Sequence, residues 1–349
     1  MRRRQVSGTL NWGIFAFTSC DSTNVHRIAC TGKVARIGLQ LAERKTSVVN
    51  PTLRVPKLKP VFISPRFQQV ITLHVLKNIL QDVEGQIPLL LGIHGPTGEG
   101  KTFQAENALR IMGVKRFLIS GGQFDNLISG ESAHIIRQTY IRASEALRSG
   151  ECSLAAVLIN DIDTGLGSWG GDVNRYTAYQ LSVYGELMHL VDYPNSVEGK
   201  DTYRVPIIIT GNDFTKLYEP LMRAGRMTAF EWNPNFEERT EMVAAIFPEL
   251  SIHEVGDLIQ ELDKQIKQKM PWYKRTLPVA FYSHLKTNLL DEDLWEIVRK
   301  SSVYTTIDDI LKGNEPDLSL GITYQRVLAK GLELAESGQL LNHFQPTEG

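Results

Sequence analysis

Cysteine is scarce in this chain. Its three residues, Cys20, Cys30 and Cys152, form an odd set without C-x-x-C spacing, which argues against a disulfide framework and a cysteine-built zinc site and points to a reducing compartment. Long apolar runs are missing too. Residues 11–17 (NWGIFAF) fall far short of the ~20 residues a spanning helix needs, so no membrane span is expected. An overall charge of one sign is also missing, the net being −1 over 349 residues. Residues 1–60 hold 11 of the 38 basic residues and 2 of the 39 acidic ones, which leaves the remainder acidic by ten charges. Duplex binding normally shows as a basic patch, and none stands out in that acidic body, so no nucleic-acid partner is expected.

What is present in full is a phosphate loop. Gly95-Pro96-Thr97-Gly98-Glu99-Gly100-Lys101-Thr102 completes the pattern G-x-x-x-x-G-K-[ST]. Residues 87–94 before it are apolar and read as a buried strand, and residues 103–112 after it read as a helix. Phosphate binding needs this context, because glycines let backbone N–H groups converge on phosphate oxygens while the helix N-terminus adds the positive end of its dipole. Lys101 would reach the β- and γ-phosphates, and Thr102 would hold Mg2+. The bland alternative, a Gly-rich turn with an exposed lysine, is weakened by both flanks.

The rest of the chain supplies parts that such a loop requires. Residues 1–60 begin Arg2-Arg3-Arg4, are rich in Ser and Thr and show no sustained period, so a transit peptide and a disordered basic extension both fit. Ser64 and Pro65 open a helix as cap and first residue, followed by Val70, Leu73, Val75, Leu76, Ile79 and Leu80 near helical spacing. A second buried strand is expected over 114–119, a helix over 133–147 and a third strand over 154–159, tipped by Asn160-Asp161-Ile162-Asp163. Carboxylates at the C-terminal end of a parallel strand are where a metal-bound water and a general base are wanted. A solvated turn is the alternative. Trp169 lies in a Gly-dense loop, 165–171, either facing a partner or folded back. After a helix over 176–190, a fourth strand over 205–212 ends at Asn212, whose amide could orient an attacking water or merely cap a turn. Arg223 and Arg226 flank Gly225 at the spacing a phosphate clamp would need, although an arginine pair alone is usually a solvated face. A fifth strand is expected over 230–234. Helical periods then dominate at 237–247, 252–270, 279–300 and 322–341, giving a four-helix lid.

The order of these parts is that of an AAA+ ATPase. The segments LLLGIHGPTGEGKTFQ, VLINDIDTGLG, RVPIIITGNDF and LMRAGRM resemble those of the Rubisco activase family, as do FISPRFQQVITLHVLKNIL and AFYSHLKTNLLDEDLWEIV, over residues 62–344. The resemblance implies an α/β fold: an AAA+ P-loop domain over 61–234, its parallel sheet flanked by helices, and a small helical lid domain over 235–349, with 1–60 as the basic extension. It implies ATP and Mg2+ as cofactors. Gly95, Pro96, Thr97, Gly98, Glu99, Gly100, Lys101 and Thr102 would form the Walker A loop, with Asn160 and Asp161 at the Walker B acids and Thr102 and Asp161 on Mg2+. Asp163 matches the next acid, Asn212 matches sensor 1, and Arg223 and Arg226 match arginine fingers acting on a neighbouring subunit's nucleotide. Residues 120–131 and 165–174 match loops lining a central pore. Lys286 and Asn288 stand where the family's sensor 2 arginines would be, and a lysine supplies a point charge rather than a fork. The implied activity is ATP-driven remodelling of Rubisco by a ring, expected as a hexamer, that releases inhibitory sugar phosphates. A different client and an ATP-binding scaffold with weak turnover are the alternatives. The location would be the plastid stroma if residues 1–60 are a transit peptide, and otherwise a cyanobacterial-type cytoplasm. Neither a counterpart of the plant activase N-terminal segment within 1–60 nor a module resembling the Rubisco small subunit after the lid is expected.

Overall fold

Leu90, Leu91 and Ile93 are each at most 1% exposed, so the strand before the phosphate loop is covered on both faces. Full burial of this kind is the mark of a central strand in a parallel sheet. The computed structural model describes residues 61–80, 87–124, 130–166, 178–318 and 321–337. Its elements run α1 (Pro65–Ile79), β1 (Leu90–His94), α2 (Lys101–Ile111), β2 (Lys115–Ser120), α3 (Glu131–Arg148), β3 (Ala155–Asn160), α4 (Ile162–Leu166), α5 (Ala178–Asp192), the two-residue strands β4 (Ser196–Val197) and β5 (Lys200–Asp201), β6 (Ile207–Thr210) and β7 (Met227–Glu231). There follow α6 (Phe236–Ile246), α7 (Ile252–Lys269), α8 (Val279–Lys300), α9 (Val303–Leu311) and α10 (Tyr324–Glu336).

Five strands form one sheet in the order β2-β3-β6-β1-β7, and every pair is parallel. Leu90 pairs with Ile207 on one side and Met227 on the other. The period of two divides each strand between two cores. Leu90, Val157, Ile159, Ile207 and Ile209 pack with Ile136 and Tyr140 of α3 and Val183, Tyr184 and Leu187 of α5. Leu91, Ile93, Leu158 and Ile208 pack with Phe67 and Ile71 of α1 and Ala105, Ala108 and Leu109 of α2. A third core, formed by Leu258, Leu262, Phe281, Leu285, Val327 and their neighbours, joins α6, α7, α8 and α10.

Several expectations change. The strand read over 114–119 as buried is an edge strand whose pattern is only partly covered, with Leu118 51% exposed. The last strand sits three residues earlier than expected, because its register places Met227 against Leu90, while Trp232 leaves the strand to bury its indole. In α1 the buried face is Phe67, Ile71, His74, Val75 and Asn78, whereas Leu73, Leu76, Ile79 and Leu80 are exposed. Of the two polar side chains on the inner face, Asn78 is satisfied: it donates to Pro88 O and accepts from Arg204 Nε. Ser64 precedes α1 without capping it, and its hydroxyl donates to Glu238 Oε1 at 2.7 Å. The helical tail holds five described helices rather than four, α9 being the addition. Part of the Gly-dense loop is the short α4, while Trp169 and the pore-loop expectations over 125–129 and 167–174 lie outside the described residues.

Candidate nucleotide site

The loop after β1 folds as its glycines require. Gly98 has φ +80 and Gly100 φ +75, both in the region that side chains rarely adopt, and Gly100 hands the chain to α2 as its N-cap. Gly95 is held still more tightly, since a Cβ there would lie 2.1 Å from Trp232 O. Lys101 opens α2 and turns back over the loop. Its ammonium donates to Gly95 O and Pro96 O, both at 2.9 Å, and to Asn212 Oδ1 at 2.8 Å. Burial lowers the Lys101 pKa, an effect opposed by the carboxylates of Asp161, Asp163 and Glu99.

The neighbouring strand ends complete the constellation. Thr102 Oγ1 lies 3.4 Å from Thr210 Oγ1, which donates to Asn160 Oδ1 at 3.3 Å and accepts from the Asp161 amide at 3.2 Å. Asp161 has φ +52, a left-handed conformation uncommon outside glycine. Incomplete solvation, followed by the charge of Asp163, raises its carboxyl above the usual aspartate range, with Lys101 acting in the opposite sense. Asp163 has a different place from the one expected. It is 1% exposed, and its Oδ2 accepts from the amides of Asn212 and Asp213 at 2.8 and 2.9 Å. It therefore fastens the turn that carries Asn212.

These groups meet at a cleft of about 1200 Å3 lined by Gly98, Lys101, Thr102, Asp161, Asn212 and, from the helical end of the chain, Met242, Ile246, Val279, Ser283, His284 and Thr287. Thr102 and Asp161 offer a hydroxyl and a carboxylate to that one space. Among the described residues no cluster of three or more His, Cys, Asp or Glu could hold a metal unaided. The donor set thus fits Mg2+, which is commonly held by one or two protein oxygens together with substrate phosphates.

Other expected site residues stand elsewhere. Glu99 faces away from the cleft, its carboxylate bound to Arg239 at 3.0 Å through both oxygens. Lys286, expected beside the nucleotide, does not line the cleft; its ammonium donates to Ile246 O at 2.6 Å and to both Glu249 oxygens at 2.9 Å. Its neighbours on that helix explain why: α8 presents Ser283, His284 and Thr287 to the cleft, and the centre of that face lies roughly 110° around the helix from position 286. Asn288 likewise bonds its own helix, at His284 O. Arg223 and Arg226 lie outside the cleft. Arg223 is exposed, while Arg226 donates to Pro220 O at 3.1 Å and pairs with Asp192 at 3.3 Å.

Comparison with known proteins gives this arrangement a family. The model of the family "ATPase family associated with various cellular activities (AAA)" matches residues 91–235. The ribulose bisphosphate carboxylase/oxygenase (Rubisco) activase of an Anabaena species is 33% identical over 300 residues, covering 81% of this chain and 69% of its own length. The activase of a Nostoc species is 34% identical over 295 residues (80% and 65%), and the chloroplastic activase of Solanum pennellii 38% over 301 residues (84% and 63%). The chain belongs to the Rubisco activase family. It spans about two thirds of the length of these relatives.

Within this activase-family chain, sequence reasoning missed Trp232 and Arg239. Trp232 is fully buried and its Nε1 donates to Glu99 O at 2.7 Å, while Arg239 also donates to Leu277 O at 2.7 Å. A tryptophan after an edge strand carries no phosphate-binding pattern. Arg239 could have been suspected, because it falls among the expected apolar periods of α6 and an arginine on a buried face needs an anion.

Proposed function

We propose that this chain is a ring-forming AAA+ ATPase that uses ATP hydrolysis to remodel Rubisco and release inhibitory sugar phosphates. The nucleotide half of the reading is carried by the meeting of Lys101, Thr102, Asp161 and Asn212 at one cleft beyond the carboxyl ends of β1, β3 and β6. The client half is supported by the names of the relatives. In this reading residues 61–234 are the nucleotide-binding domain and residues 235–349 the lid.

Each side chain's part follows from its chemistry. The loop amides and Lys101 bind the phosphates, one phosphate oxygen replacing an acceptor that Lys101 now holds. Thr102 and Asp161 would hold Mg2+, which would supply charge neutralisation at the phosphate oxygens. Asp161 accepts the proton of the attacking water, Asn212 orients that water, and Asp163 keeps Asn212 in place. Arg223 and Arg226 lie off the cleft of their own chain, which suits fingers that reach a neighbour's nucleotide. Charge developing on the transferred phosphoryl group is then stabilised only after the next subunit docks, so turnover depends on ring assembly, here taken as a hexamer. The stroma of a plastid or the cytoplasm of a cyanobacterium is the location this activity implies.

The placement of Lys286 supports a second reading, in which the cleft binds ATP but turns over slowly, because the α8 face on the cleft carries no lysine or arginine. One experiment separates the readings: the protein and ATP are mixed with sugar-phosphate-inhibited Rubisco from the same source, and carboxylation is followed. Recovery of carboxylation supports the proposal. ATP turnover without recovery transfers the motor to another client, and binding without turnover selects the scaffold.

A further inference from the structure

Two consecutive residues of the phosphate loop are held by chain that arrives more than 130 positions later. The Ala280 amide donates to Gly98 O at 2.9 Å, and Trp232 Nε1 donates to Glu99 O at 2.7 Å. Between them sits a buried ion pair. The side chains of Glu99 and Arg239 are each 5% exposed, and the guanidinium fork donates to both carboxylate oxygens at 3.0 Å. One guanidinium nitrogen also donates to Leu277 O at 2.7 Å, just ahead of α8. Glu99 occupies a position of the loop pattern whose side chain phosphate binding does not use. An acid there is costly twice over, through its desolvation and through its repulsion of a polyphosphate. Arg239 removes both costs while joining α6, the loop and the start of α8 at one point.

We infer that Glu99 and Arg239 are a positioning pair that locks the phosphate loop to α6 and to the N-terminus of α8, so that a nucleotide seated on the loop is felt by the helical end of the chain through this pair. The inference rests on reading residues 95–102 as a nucleotide site. Two consequences differ from those of a merely structural contact. Neutralising Arg239 leaves the buried Glu99 carboxyl without its partner inside the phosphate loop, which disturbs the loop and weakens nucleotide binding; neutralising both partners restores binding but not transmission.

The test uses the full chain with ATP and Mg2+, reading affinity by titration and hydrogen exchange over 95–111 and 277–290. In the unaltered protein, nucleotide slows exchange in both segments. Arg239→Met is expected to lose at least tenfold in affinity and, at saturation, to keep protection over 95–111 while losing at least half of it over 277–290, the remainder coming from the α8 residues that line the cleft themselves. The double variant Glu99→Gln with Arg239→Met recovers affinity to within threefold, with protection over 277–290 still at the reduced level of Arg239→Met. Undiminished protection over 277–290 in Arg239→Met, or no recovery in the double variant, overturns the inference. Should Arg239→Met fail to fold, Glu99→Gln alone decides. It is expected to halve protection over 277–290 at saturating nucleotide, and full protection there sinks the pair. Absence of nucleotide binding by the unaltered protein overturns the nucleotide site itself, and the inference with it.

Discussion

Lys101 directs its donors to Gly95 O, Pro96 O and Asn212 Oδ1, so an arriving phosphate must displace one of these acceptors, and Asn212 is the one on another strand. The turn after β6 is thereby tied to occupancy of the loop. Asp161 bears the second consequence at this scale. A proton acceptor works only when ionised, and this carboxyl titrates above the ordinary aspartate range because of incomplete solvation and Asp163. In the chain free of Mg2+ and nucleotide, Asp161 is therefore expected to take up its proton at a higher pH than an unperturbed aspartate would. NMR titration of that carboxyl checks this. Asp163→Asn, which keeps an acceptor for the amides of residues 212 and 213 but removes the charge, moves the Asp161 titration toward lower pH. An unmoved titration would show that Asp163 has no part in it.

The elements show how much of the chain could be read before it was folded. β1, β3 and β6 were legible because central parallel strands are apolar throughout, and their tips, His94, Asn160 and Thr210, lie beside the residues already singled out. The loop was legible because its chemistry is fixed by pattern. The inner face of α1 was not, since apolar spacing favoured Leu73 and Leu76, and only distant partners on 88 and 204 allow Asn78 inside. α9 was missed although Val303, Tyr304, Ile307 and Leu311 recur at helical spacing after a Ser302 cap; all four are at least 50% exposed and belong to none of the three cores among the described residues. Lys286 and Arg239 show the same limit for charge, because each is defined by a partner, Glu249 or Glu99, that no spacing rule supplies. His74 gives α1 a measurable liability. It is 7% exposed, its Nε2 has no partner among the described residues, and burial lowers its pKa from 6.5 to about 4. The unfolded chain takes up this proton first, so stability falls as pH drops from 6.5 to about 4, by about 3 kcal/mol in all. His74→Gln should flatten unfolding free energy against pH over that window; an unchanged slope would remove His74 from the account.

At the scale of the whole molecule, the separation of Arg226 from its own cleft predicts division of labour between copies. Lys101→Ala and Arg226→Ala proteins should each hydrolyse ATP at least ten times more slowly than the unaltered chain. Mixed in equal amounts, they should regain part of the lost rate, because a cleft with intact Lys101 can meet a finger with intact Arg226. No gain on mixing over either protein alone, with assembly verified by sedimentation, would place the arginines in a structural role; Arg226 already holds Asp192 and Pro220 O and could serve that role. The bond from Ala280 to Gly98 carries a different kind of consequence, one of timing. β1 must wait for β6 and β7, more than 100 positions downstream, and the loop after it waits longer still, for the first turn of α8. During synthesis the phosphate loop leaves the ribosome early yet cannot take its final form until residue 280 has emerged, so a nascent chain stalled before that point should be unable to retain nucleotide.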